Sequence, residues 1–218
     1  MDAKEVAAVV TSNYMMKTNT KLHGYMVENC FRDIFYQQNV DYIYKDMHEK
    51  RLGIIMKDEM GITIGVNSKF PSRKTFSTAH EIGHLFLDLP NHEISTFSDD
   101  IQSLEQKTNN LQIERNANTF ASYLICPEKV LEYYFQEGVS FFDIALRLKM
   151  SFESLKWRIY HYIQNHFNYY KNKILQIVEN FFELSKRDRQ KLSYLYNEVL
   201  KIDFSMYARN KKLLNEFQ

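Results

Sequence analysis

The run His80-Glu81-Ile82-Gly83-His84 sets two imidazoles four residues apart with a carboxylate next to the first. On a helix, residues i and i+4 stand above one another on the same face, so both rings can reach one cation while Glu81 lies beside a water on it. Zinc accepts such nitrogens at about 2.0–2.1 Å and, where it is catalytic, keeps one position for water. The pKa of that water falls toward about 7, and a neighbouring carboxylate can take its proton as the oxygen attacks a carbonyl carbon. Amide hydrolysis near neutral pH is the chemistry this HExxH set points to. Ala79 and Gly83 supply small residues where a second element would have to come close.

Catalytic zinc commonly takes three protein ligands besides water. Candidates for the third lie downstream: Asp88, His92, Glu93, Asp99, Asp100, Glu105 and Glu114. Glu114 is preferred, because Glu114, Ala117, Asn118 and Ala121 form one face of small and polar residues at helical spacing, and a helix places a ligand more reliably than a loop. His92, just after Pro90, is the rival. Ligating histidines donate their second N–H to a carboxylate or carbonyl, a task for which Asn118 and Asp88 are the candidates. The donor to a developing oxyanion stays open among Tyr123, Tyr133, Tyr134 and His92, since among 15 tyrosines any single one is weak evidence.

Elements must position these groups. Apolar residues at three- and four-residue spacings predict helices over residues 3–16, 24–36 and 40–50, with Asn39 and Asp41 as turns or caps. Residues 52–56 and 62–66 flank a polar stretch ending in Gly61, which reads as an antiparallel hairpin with a longer loop. Helical spacing returns over 72–87, capped by Ser72 and stopped by Pro90. The polar stretch 91–109 is long for a connection and reads as partly helical or as a functional loop. Helices follow over 111–124, 128–136, 140–148, 151–166, 174–184, 185–198 and 205–217, with Ser151 as an N-cap. The expected fold is α+β and mostly helical, with a small antiparallel sheet next to the HExxH helix. Residues 1–130 would form a zincin-like core with a helical leader, 131–166 a helix-turn-helix-like segment packed on it, and 167–218 a C-terminal helical extension.

Composition narrows the function classes. The 218 residues suffice to bury a core without disulfides or a structural metal, so a metal needs a chemical reason. With 28 Lys and Arg against 27 Asp and Glu, no broad field attracts a polyanion. Residues 165–218 carry +4 and the rest −3, a mild asymmetry that fits a solvated helix face. Cys30 and Cys126 form no dense framework or CxxC pair, and the first 20 residues lack a signal-peptide apolar stretch, so reduced thiols in the cytoplasm are expected. No apolar run is long enough for a membrane span.

Residues 67–87, NSKFPSRKTFSTAHEIGHLFL, resemble the active-site segment of the ImmA/IrrE metallo-endopeptidases, in which a strand ending in asparagine precedes an Arg-x-x-Phe-(Ser/Thr)-x-Ala-His-Glu-x-Gly-His helix. Residues 113–127, IERNANTFASYLICP, are similar to that family's second block, and the likeness covers roughly residues 25–162. The resemblance implies His80, His84 and Glu114 as ligands of one zinc ion and Glu81 as general base. It departs at Asn116, where many relatives carry a second acid, and in reaching the family-like core almost at once, where some relatives have a separate DNA-binding domain first. It further implies a cytoplasmic protease, often encoded by phage or mobile elements, that inactivates a helix-turn-helix repressor. The strand Ile62, Thr63, Ile64, Gly65 and Val66, near the metal helix in the chain, is the candidate to pair with an extended substrate segment.

Residues 141–162 are similar to a helix-turn-helix, yet the second helix, with Ser154, Lys156, Arg158 and His161 between Leu155, Trp157 and Ile159, is only modestly basic. Leu155, Trp157 and Ile159 are expected in the core, and nucleic acid is not expected as a direct ligand. Arg73 and Lys74 oppose the dipole of the metal helix and face substrate or solvent. The leading expectation is a zinc-dependent endopeptidase acting on a repressor protein. The alternatives are a metal-containing module that binds a repressor without cutting it, and a DNA-binding regulator acting through residues 141–162.

Overall fold

Asp2 opens the first helix by a reciprocal cap: its side chain accepts from the Glu5 N–H at 2.9 Å, while the Glu5 carboxylate accepts from the Asp2 N–H at 3.0 Å. This helix, α1 (Ala3–Thr18), and the next, α2 (Val27–Gln38), end at Asn19 and Asn39, left-handed residues of φ 52° and 50°. Asparagine tolerates that conformation better than most side chains. The computed structural model describes residues 2–91, 95–100 and 110–199, and the chain divides into two compact units, Met1–Pro127 and Glu128–Gln218.

Beyond Asn39 the chain forms a strand, β1 (Val40–Lys45), and not the expected helix over 40–50. Val40, Ile43, Tyr44 and Met47 do have helical spacing, but β-branched and aromatic residues also suit a pleated strand, and a partner strand decides between the two. That partner is β3 (Gly61–Asn67), which runs parallel to β1 with Val40 opposite Ile62 and Lys45 opposite Asn67. On its other side β3 pairs antiparallel with β2 (Arg51–Asp58). The turn between them is shorter than the sequence suggests: Asp58 already pairs with Gly61, whose φ of 134° suits glycine, and the Asp58 carboxylate accepts from the Met60 N–H at 2.8 Å.

Within the polar stretch 91–109 lies a further strand, β4 (Ser95–Asp100), antiparallel to β2. Its STFSDD sequence has little apolar alternation, so the strand is specified by pairing, not by pattern. The strand order β1-β3-β2-β4 makes the sheet mixed where an antiparallel one was expected. It also overturns the substrate-pairing role of Ile62, Thr63, Ile64, Gly65 and Val66: both ladders of β3 are filled, leaving no edge for another chain.

One face of the sheet packs on α3 (Lys74–Leu87), the helix carrying the HExxH run. Register puts Tyr42, Ile64, Ile55 and Phe97 on that face, and the Tyr42 hydroxyl lies 3.2 Å from Thr78 Oγ1. Residues Pro71–Arg73 form a separate three-ten turn, so α3 starts at Lys74 and Ser72 does not cap it. Across α3 lies α4 (Asn110–Ile125).

The second unit is helical: α5 (Glu128–Gln136), α6 (Phe141–Leu148), α7 (Phe152–His166) and α8 (Lys171–Ser185). Ser140 and Ser151 cap α6 and α7, and Lys149 ends α6 in the left-handed region at φ 53°. Phe135 and Phe141 meet Phe181 of α8 at 5.6 and 6.2 Å, so α8 shares this aromatic core and does not stand apart as an extension. Leu155 and Ile159 are fully buried as expected, whereas Trp157 is 49% exposed and lies outside the core. The helix expected over 185–198 is broken by Asp188, at φ 54°, and resumes over 194–199. The helix expected over 205–217 lies outside the described residues. No helix of the described residues is long and apolar enough to cross a membrane.

Candidate active site

His80 and His84 stand one turn apart on α3, both essentially buried, with Nε2 atoms 3.1 Å from each other. Their outer nitrogens are engaged: His80 Nδ1 lies 3.0 Å from Asn118 Oδ1 and His84 Nδ1 2.7 Å from Asp88 Oδ2. Each oxygen is an acceptor, so each Nδ1 carries the proton and each Nε2 presents a lone pair inward. Glu114 on α4 completes the set, Oε2 lying 3.2 Å from His80 Nε2 and Oε1 3.7 Å from His84 Nε2. Burial would raise the Glu114 pKa, but whenever the imidazoles are protonated the hydrogen bond from His80 and the positive charges of His80 and His84 outweigh it and hold the carboxyl below its usual range.

Three acceptors converging on one point is the arrangement a cation requires and a purely structural cluster avoids. Two donors each about 2.0–2.1 Å from a tetrahedral ion stand roughly 3.3 Å apart, and these spacings bracket that value. Among the described residues His80, His84 and Glu114 form such a group, their ligand atoms all within 4.8 Å of one another. The residues fit a divalent metal.

Glu81 leaves α3 toward the sheet and is fully buried. Its carboxylate rests on the backbone of β2 at Gly53: a Cβ there would overlap Glu81 Oε1 and lie 3.0 Å from Cδ. The strand is irregular beside this point, its register with β4 shifting between Arg51 and Gly53. On the β4 side the Phe97 ring stacks on His84 at 5.1 Å and 8°. Gly83 closes the back of the site, where an added Cβ would stand 3.0 Å from Ala117 Cα and 3.1 Å from its carbonyl oxygen. Glycine thus lets α4 approach near enough for Glu114 to meet the histidines.

The structure therefore brings together His80, His84, Glu114, Asn118 and Asp88, with Asp88 on the outer nitrogen and not among the inward-facing atoms. Asn116, the departure from the family pattern, accepts from Gln112 Nε2 at 2.9 Å on an exposed turn of α4. His92, Glu93 and Glu105 lie outside the described residues, and Asp99 and Asp100 are described only as backbone of β4. Tyr123 is buried with Lys4 over its ring at 5.8 Å, while Tyr133 and Tyr134 belong to the second unit. Sequence reasoning missed Gly53 and Phe97. A glycine inside a strand can signal close approach by another group, so Gly53 could have been flagged. Phe97 gave no signal, lying in a stretch read as a connection.

The family model described as IrrE N-terminal-like domain, a peptidase family, matches residues 35–160, an interval that contains the whole sheet, α3 and α4. No curated protein matches the chain. Matched over more than half its length, and with a possible metal-binding triad on the helix pair the family's motif marks, the chain belongs to the IrrE N-terminal-like family of metallopeptidases.

Proposed function

We propose that the chain is a zinc-dependent endopeptidase that cleaves a peptide bond in a protein substrate, a helix-turn-helix transcriptional repressor. The observation carrying this reading is the convergence of both Nε2 lone pairs and the Glu114 carboxylate on one point, with the buried Glu81 next to His80 on the same helix. His80, His84 and Glu114 would hold the ion, and Asn118 and Asp88 would fix the imidazoles in the tautomer that ligation needs. Zinc, when bound, polarises a carbonyl and acidifies water. Glu81 accepts the proton of the attacking water as oxygen adds to the carbonyl carbon, then passes it to the amine nitrogen as the C–N bond breaks. Held on β2, the carboxylate needs little reorganisation to do so.

An extended substrate would pair with β4, the last strand of the sheet among the described residues, which lies beside His84 through Phe97. A protein substrate also fits the second unit better than DNA reading does. Of the basic residues on α7, Arg158 is buried near Glu128 at 3.8 Å and Lys156 is paired with Glu179 at 2.7 Å, which leaves few cations for phosphates.

The test is incubation with helix-turn-helix repressors encoded near its gene, comparing wild type, Glu81→Gln and chelated protein. Discrete fragments from wild type alone, with metal retained in Glu81→Gln, are expected. Equal fragmentation by wild type and Glu81→Gln, or no fragments from metal-loaded wild type, would overturn the reading.

A further inference from the structure

Arg73 and Lys74 stand at the start of α3, where the helix dipole favours anions, and neither role assigned to the site uses them. They are not isolated. Residues 45–51 and 67–74 together carry six basic and two acidic side chains, a net +4, inside a unit whose sequence, residues 1–127, is −3 overall. Lys45, Lys50, Lys69, Arg73 and Lys74 are all exposed. The remainder of the unit is therefore distinctly anionic, and these two segments stand out from it by their net positive charge.

Folding fixes that place. Asn67, buried at the end of β3, uses its whole hydrogen-bonding capacity: Oδ1 accepts from Met47 and Lys69 N–H at 3.2 and 3.0 Å, and Nδ2 donates to the His48 and Arg51 carbonyls at 3.1 and 2.7 Å. The Ser68 N–H donates to the Lys45 carbonyl at 2.9 Å. The end of β1, the segment before β2 and the approach to α3 are thus stitched into one corner of the sheet. Lys74 is held over the Tyr44 ring at 4.4 Å, and Lys69 reaches Asp46 at 3.1 Å.

We infer that this corner is a docking surface for an acidic, extended segment of the protein on which the domain acts. Arg73 precedes His80 by seven residues, on the order of 10 Å along the helix, so a segment bound there continues toward the metal site within a few residues. Fixed cations separated by fixed backbone select an acidic peptide by electrostatic complementarity, and the interspersed Asp46, Glu49 and Tyr44 make the surface less suited to the uniform charge of a nucleic-acid backbone. The inference rests on the peptidase reading only for the identity of what carries the acids.

The test measures binding and not cleavage, so its failure and that of the proposed function are separable. The full chain is titrated against a fluorescent 16-residue peptide alternating Glu with Ser and Gly, a Lys-for-Glu counterpart and a 16-base-pair duplex DNA. Binding of the acidic peptide is expected, weakened about tenfold in Lys69→Glu/Arg73→Glu/Lys74→Glu and unchanged in Lys171→Glu/Lys173→Glu/Lys186→Glu, which reverses the same number of charges in the second unit. The Gln triple variant at 69, 73 and 74 gives the same loss if the Glu variant does not fold. Binding within twofold of wild type in either folded triple variant would overturn the inference, as would absent peptide binding at 50 mM salt or tighter binding of the duplex.

Discussion

A histidine can serve a metal only if the proton it keeps is parked on its other nitrogen, and here two different acceptors do the parking. Asp88 is a carboxylate just past the end of the same helix at 2.7 Å, and Asn118 a neutral amide from across the helix pair at 3.0 Å. The charged acceptor is the stronger, so Asp88→Ala should cost more than Asn118→Ala, at the upper end of the roughly 10–100-fold loss of metal affinity typical of such partners. Isothermal titration with zinc checks the order, and equal or reversed losses would count against the assigned tautomers. Gly53 acts on the other carboxylate. Because the atom an added Cβ meets first is the end of the flexible Glu81 side chain, Gly53→Ala should fold and bind metal normally while displacing the base. Turnover should fall on the order of 10²-fold with KM little changed, the range associated with general-base catalysis. Retained kcat would show that Glu81 is not held by β2.

Elements set whether those residues can meet. The crossing of α3 and α4 is close because Gly83 has no side chain opposite Ala117, and the two nearest atoms to an added Cβ are backbone, which cannot swing aside. Gly83→Val should therefore force the helices apart, costing about 1–3 kcal/mol as overpacking and, more tellingly, weakening metal binding by drawing Glu114 from the histidines. Denaturation of metal-free protein and a zinc titration read the two effects separately; unaltered affinity would mean the crossing does not set the site. This helix pair was legible in the sequence because period 3.6 places His80, His84, Gly83 and, on the next helix, Glu114, Ala117 and Asn118 on facing stripes. The sheet was less so. Val40, Ile43, Tyr44 and Met47 satisfy helical spacing and strand composition alike, and β4 is too polar to announce itself, so both edges of the sheet are defined by partners distant in sequence. Misjudging the edges is what put the substrate strand on β3, an interior position.

At the scale of the molecule, metal binding should be felt by one unit and not by the other. All three candidate ligands lie in Met1–Pro127, whereas the core of Glu128–Gln218 is built from its own aromatic residues, Phe135, Phe141 and Phe181 among them, with Arg158 buried near Glu128. A ligand that binds only the folded form stabilises it by RT ln(1 + [L]/Kd), about 2.7 kcal/mol at a hundredfold excess over Kd. For a unit of this size that raises its midpoint by roughly 10 °C. Calorimetry with zinc and with chelator should accordingly show one transition that moves and one that stays, and His80→Ala/His84→Ala should abolish the movement without lowering the fixed transition. Two transitions moving together would mean that the units melt as one cooperative body, and neither moving would mean that the three converging acceptors bind no metal, which would remove the ground for hydrolysis at this site.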